Sequence, residues 1–143
     1  MAVVLEHPFS TAKSLDESYA TILDLERVVP CVEGGSVLEK TGPSSVRAEI
    51  DIKMGAMGMT FTGPVNIESA DAATRTVKIK ANTRETLGHS YATGDITISL
   101  GEGTGTIAAI ANVGGKAAGM GEGVIVNVLT DLVRSFSVNV GGA

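Results

Sequence analysis

His7 and His89 are the only imidazoles in the chain, and Cys31 is the only thiol. A transition-metal site needs three or four well-spaced ligands, and two isolated histidines without a third do not supply one. A Ser-His-Asp triad would need His7 or His89 as its base, and no G-x-S-x-G nucleophile elbow occurs to go with it. Cys31 follows Pro30 at the end of a short helical segment, where the carbonyl end of the helix disfavours a thiolate. It reads as a small buried hydrophobe. Gly114-Gly115-Lys116 lacks the spacing and the following Ser or Thr of a phosphate-binding loop. The spacing therefore predicts no catalytic residue, no metal site and no cofactor. His7 shares its phase with Leu5 and Phe9. Pointing inward, it would offer one polar contact to a ligand oxygen; the plainer alternative is an edge-strand histidine bonded to backbone or solvent.

Two other sets suit binding better than covalent chemistry. Met54, Met57 and Met59 cluster at a bend between strands, and Met120 sits on the last helix. Polarizable, flexible Met side chains suit the wall of an adaptable apolar pocket. They equally suit core filling in a chain whose aromatics make up 3% and include no Trp. Gly115, Gly119 and Gly123 fall at i, i+4 and i+8, one stripe of a helix predicted over Gly115–Val138, with Gly121 beside them. Each glycine costs about 1 kcal/mol against Ala in a helix interior. Such a stripe expects close approach to bare backbone, by a ligand, by the sheet or by a second copy of the chain.

The elements that must position these residues follow from periodicity. Val3, Leu5, His7 and Phe9 alternate as a strand, placed at an edge by Pro8. Ser14-Leu15-Asp16-Glu17 is a capping box, and Leu15, Tyr19, Ile22 and Leu23 share one helical face. Asp24 caps a second short helix that Pro30 stops. The period then changes to two: Val46–Met54, Met57–Ile67, Val77–Ala81, Ile96–Leu100 and Thr104–Val113 read as strands. Turn signals separate them, among them Gly42-Pro43-Ser44, Asp71-Ala72-Ala73 and Gly101-Glu102-Gly103. A strand, two short helices, about six to seven antiparallel strands in all and one long C-terminal helix make an α+β layout. The last helix must cover the apolar face of the sheet.

A chain of 143 residues fits one domain, expected over residues 1–140, with Gly141-Gly142-Ala143 as a disordered end. A net charge of −5 excludes a nucleic-acid partner, because phosphate backbones select basic surfaces. The N-terminus carries no signal-peptide pattern. The apolar run Val124–Val133 falls short of the roughly 20 residues of a transmembrane span. These features predict a cytoplasmic protein with no transmembrane segment.

Several motifs occur in order: Tyr19-Ala20-Thr21-Ile22-Leu23-Asp24, Val29-Pro30-Cys31, Lys53-Met54-Gly55, Phe61-Thr62-Gly63-Pro64-Val65, Gly94-Asp95, and Val113-Gly114-Gly115-Lys116-Ala117-Ala118-Gly119-Met120-Gly121, closing on Phe136. On these, most of the chain, from about Val3 to Phe136, resembles the CoxG family of carbon monoxide dehydrogenase subunits. That family lies within the START-like, birch-pollen-allergen-like (SRPBCC) helix-grip superfamily. The resemblance implies a curved antiparallel sheet wrapped around the long C-terminal helix, with an internal hydrophobic pocket. It also implies an accessory role beside a molybdenum-type CO dehydrogenase, in maturation or in delivery of a quinone. Tyr19 stands where the family usually has Trp. Some relatives carry a longer, membrane-reaching C-terminal tail, and the absence of one here shifts the expectation towards a stand-alone binder.

The expectation is thus an accessory protein, not an enzyme, that holds a quinone or isoprenoid-like lipid. Its cavity would be walled by Met59, Phe61, Ile98, Met120, Val124 and Val128, with His7 and Tyr19 as polar members. Its partners would be that ligand and a CO dehydrogenase-type oxidoreductase, with a homodimer as a further possibility. Two alternatives remain. A polyketide cyclase or aromatase would need an inward acid or base, for which His7, Tyr19, Tyr91 and Asp95 are the candidates. A module assisting assembly of an oxidoreductase would use its surface instead.

Overall fold

The computed structural model describes all 143 residues. Strand β1 (Ala2–Ser10) leads to helices α1 (Leu15–Ile22) and α2 (Leu25–Val28), the latter running into a 3-10 turn at Val29–Cys31. Six strands follow: β2 (Gly35–Gly42), β3 (Ser45–Met54), β4 (Met57–Asp71), β5 (Thr76–Glu85), β6 (Ser90–Gly101) and β7 (Thr104–Gly115). A 3-10 turn at Lys116–Met120 then delivers the chain to helix α3 (Glu122–Gly142). The seven strands form one antiparallel sheet in the order β1-β7-β6-β5-β4-β3-β2. β1 and β2 lie on opposite edges, so α1 and α2 carry the chain from one edge to the other. The curved sheet grips α3, as the helix-grip resemblance implies.

Local chemistry explains the short helices. Ser14 Oγ accepts from the Glu17 amide at 3.2 Å, and its hydroxyl donates to Glu17 Oε1 at 3.1 Å. The reciprocal contact of the capping box is thus made to the hydroxyl rather than to the Ser14 amide. Asp24 Oδ1 accepts from the Glu26 amide at 3.1 Å, capping α2.

Three expectations change. β2 carries no clean alternation: Leu38, Glu39, Lys40 and Thr41 are all exposed, and its pairing with β3 slips twice. A period-two reading therefore passes over it. The long helix starts at Glu122, not Gly115, because Gly115 (φ 75°) and Gly121 (φ 99°) occupy left-handed backbone that interrupts a helix. Gly115 ends β7 opposite Ser90, where an added Cβ would run into the His89 carbonyl. Gly119 lies in the 3-10 turn and Gly123 in the first turn of α3, and a Cβ on either meets nothing within 4 Å. The three glycines thus form no stripe, and of the three only Gly115 is closely approached. Finally, the C-terminal end is packed. α3 continues to Gly142, Gly141 is buried against the Ser10 backbone, and the Ala12 amide donates to the Gly141 carbonyl at 2.8 Å. At 21 residues α3 is, by length and composition, long and apolar enough to cross a bilayer, unlike the shorter run read from the sequence. Here it lies along the sheet with Ile125, Phe136, Ser137 and Val140 buried.

The core divides in two. The larger cluster joins Ile22, Leu25 and Val28 of the short helices to Val77, Ile98, Leu100 and Ile107 of the sheet and to Phe136 and Val140 of α3. The smaller one gathers Met54, Met59, Phe61, Val113, Ala117 and Ile125 around the start of α3.

Candidate functional site

Strand register decides where the interior is full and where it is hollow. In one cross-strand row, Val77 pairs with Ile98, Ile98 with Ile107 and Ile107 with His7. All three aliphatic residues of that row are at most 1% exposed. Two rows further along, on the same inward phase, Ala81 pairs with Gly94, Gly94 with Ala111 and Ala111 with Val3. Next to it run Ala109 opposite Ile96, and Ala92 opposite Thr83. These short side chains cannot reach α3. A Cβ added to Gly94 would meet only Ile96, at 3.8 Å or more. The result is a cavity of about 190 Å³ between sheet and helix. It is roofed by Leu129, Leu132, Val133 and Phe136 of α3, and 22 of its 25 wall residues are hydrophobic. The inward polar side chain among its wall residues is Thr83, whose hydroxyl is committed to the Ala92 carbonyl at 2.7 Å.

Side-chain hydrogen bonds tether helix α3 near its C-terminus, while near its N-terminus it is held by burial of Ile125 in the smaller cluster. Ser137 Oγ lies 3.0 Å from His7 Nδ1 and donates to the Arg134 carbonyl at 2.7 Å. One hydroxyl proton cannot serve both contacts, so His7 Nδ1–H is the donor in the first. Asn139 Nδ2 donates to the Cys31 carbonyl at 2.9 Å. The N-terminal half of α3 has no side-chain cap, and Gly121 and Gly123 have open space around them.

A second, wetter space adjoins the cavity. It is a groove of about 660 Å³ lined by Glu33, Gly34, Asp51, Ile52, Lys53, Gly58, Met59, Thr60, Val128, Asp131 and Leu132. Ile52 and Leu132 belong to both walls.

The residues expected to wall one cavity fall in several places. Phe61 lines the cavity, and Met59 and Val128 line the groove. Ile98 is sealed within the larger cluster. Met120 packs beside the smaller cluster, its terminal methyl near the Gly55 turn. Val124 is 37% exposed at the start of α3, outside both spaces. Helical phase counted from Gly115 turns it inward, and the true helix begins only at Glu122. His7 is taken up by Ser137. Tyr19 packs at the edge of the larger cluster with the Arg75 guanidinium 5.4 Å over its ring, and Arg75 pairs with Asp16. Tyr91 lies exposed across Gly114, and Asp95 faces out to Lys80 at 3.7 Å. His89 occupies an exposed turn. No three His, Cys, Asp or Glu side chains cluster as metal ligands would. Burial pushes the Cys31 thiol pKa up, and its Sγ donates to the Arg27 carbonyl at 3.3 Å, so it is no ready nucleophile.

Sequence reasoning missed two features. The small inward residues Ala81, Ala92, Gly94, Ala109 and Ala111 are legible as a phase but not as a hollow. Glu85 continues the inward phase of Val77, Ile79 and Thr83, lies opposite Phe61, and is 9% exposed, with Oε1 buried and unpartnered. Extending the alternation past Ala81 by two steps would have placed it inside.

This architecture recurs in solved structures. A conserved protein from Geobacillus kaustophilus superposes with a TM-score of 0.78 at 17% identity, over 99% of this chain and 93% of that one. The Zhui aromatase/cyclase from Streptomyces sp. R1128 gives 0.60 at 14% identity, over 95% and 92%. A truncated norcoclaurine synthase from Thalictrum flavum gives 0.55 at 16% identity, over 96% and 92%. At these identities the likeness is one of fold. No curated protein sequence matches the chain. The sequence pattern of one family, however, runs through residues 8–141, nearly the whole fold including the cavity walls and α3, and the chain belongs to that family: CoxG, of the carbon monoxide dehydrogenase subunits.

Proposed function

We propose that this protein binds an apolar small molecule of quinone or isoprenoid type in the hollow under α3, as an accessory to a molybdenum-type CO dehydrogenase or related oxidoreductase. The observation that carries the reading is the Ala81-Gly94-Ala111 row. It keeps a lined, almost wholly apolar space open, while the row two further along the same sheet is filled. An unfilled interior loses dispersion contacts and transfer free energy, of order 1 kcal/mol for each methyl-sized void. An apolar guest restores both, at roughly 25 cal/mol per Å² buried. CoxG membership supports the oxidoreductase partner.

The cyclase reading, suggested by the name of one structural neighbour, is less well supported. A cyclase needs an acid or base on the cavity wall; the inward polar wall side chain is the Thr83 hydroxyl, and the nearby buried acid, Glu85 opposite Phe61, is not among the wall residues. The test is direct. The protein is expressed in a quinone-producing aerobic host and purified without detergent. A native mass spectrum is recorded, and the bound material is extracted and identified. A stoichiometric quinone or isoprenoid is the expected outcome. A protein that stays empty both as purified and after incubation with a short-chain quinone refutes the proposal.

A further inference from the structure

The cavity of 190 Å³ is smaller than the roughly 300–1,000 Å³ of sites that bury a drug-sized ligand. The adjoining groove of 660 Å³ is large enough, and it brings charged side chains beside its apolar wall. The two share Ile52 on β3 and Leu132 on α3, side chains contributed by facing elements. Leu132 lies between Leu129 and Phe136, which roof the cavity, and next to Asp131, which lines the groove. Resting on the ligand-binding reading above, we propose that the groove is the mouth of the cavity and the seat of the ligand's polar end. Ile52 and Leu132 are the gate between them, and the polar end is an uncharged hydrogen-bonding group rather than an anion.

Three features of the fold bear on this. α3 is pinned through Ser137 and Asn139 near its C-terminus, while its N-terminal half is uncapped and preceded by Gly121. Its N-terminal turn is held instead by Ile125 in the smaller cluster, and between the two anchors Val128 and Leu132 face the groove. On the far side of the mouth Gly58 carries no side chain and has open space around its Cα. The mouth also presents both signs of hydrogen-bonding group: the Lys53 ammonium donates, and the carboxylates of Glu33, Asp51 and Asp131 accept. Asp51 Oδ1 already accepts from the Thr60 hydroxyl at 2.7 Å, and Asp131 pairs with Arg134 at 3.5 Å, yet each carboxylate keeps further acceptor positions. A neutral hydroxyl or carbonyl finds partners there. A carboxylate or phosphate meets three negative charges against one positive.

The experiment follows uptake of N-phenylnaphthylamine by its fluorescence, then its displacement by decanol and by decanoate. The full-length protein is compared with Leu132→Trp, Leu132→Ala, the combined variant Glu33→Gln/Asp51→Asn/Asp131→Asn, and the surface control Val138→Trp. Leu132→Trp is expected to weaken probe binding at least about tenfold with the far-UV spectrum unchanged. Leu132→Ala is expected to speed probe exchange, and it carries the gate test should the Trp variant fail to fold. In the combined variant the preference for decanol over decanoate should shrink about fivefold or more. Wild-type affinity in Leu132→Trp, or wild-type exchange in Leu132→Ala, overturns the gate. An unchanged decanol-to-decanoate ratio in the combined variant overturns the choice of head group. Failure of the wild-type protein to take up the probe or either alcohol or acid is a different result, and it removes the cavity reading itself.

Discussion

The Val77-Ile98-Ile107 row and the Ala81-Gly94-Ala111 row lie on the same three strands, in the same register and on the same inward face. One is packed into the larger cluster with the short helices and the C-terminal end of α3; the other leaves about 190 Å³ unfilled beneath Leu129, Leu132, Val133 and Phe136 of that helix. Alternation is identical in both, so alternation does not distinguish a core from a pocket. Side-chain volume at the inward positions does, together with whether the covering helix can close down. Here the tether through Ser137 and the packed Gly141 set the height of α3, and the small residues two rows away cannot bridge it. The filled half carries the packing, and the hollow half is where the proposed ligand would sit.

The sharpest way to break this division is Ile98→Ala. In a filled row it leaves a cavity, and a loss of about 3 kcal/mol is expected from the urea midpoint. A loss under about 1 kcal/mol would mean that this half is also loosely packed. Ser137→Ala comes next. It removes a fully buried hydroxyl and leaves His7 Nδ1–H and the Arg134 carbonyl without that partner, for about 2 kcal/mol. Hydrogen exchange should then be faster along the C-terminal half of α3 than in the wild type. Gly94→Val fills the hollow at a position with room for it. Binding of N-phenylnaphthylamine should fall about tenfold while the thermal midpoint holds or rises, because a β-branched residue replaces glycine in a strand. A fall in both would place the row in the core after all. The smallest change is at Glu85. Replacing its unpartnered carboxylate by Leu should stabilise the protein by about 1 kcal/mol, again read from the urea midpoint. A loss of stability would show that the carboxylate has a partner in solution, such as an ordered water.

Much of the frame is legible because it rests on local rules. Ser14 and Asp24 cap the helices they are expected to cap, and the alternation from Val46 to Met54 and from Val77 to Ala81 places strands β3 and β5. The candidate site is less legible. Phase finds Phe61, but it loses Val124, because a count from Gly115 runs through two left-handed glycines. His7 sits on the inner phase as its strand pattern requires, yet its partner, Ser137, lies 130 residues away. No spacing pattern announces a pair that only the closed sheet brings together.

Sequence alone therefore determined the order of most elements, the inward and outward faces of most strands and the family, because each follows from residue chemistry and short-range periodicity. The tertiary structure decided where the interior stays open, how α3 is tethered, and that Ile52 and Leu132 line both groove and cavity. Those depend on register across strands and on the height of a helix over a sheet, and both are set by contacts between residues far apart in the chain.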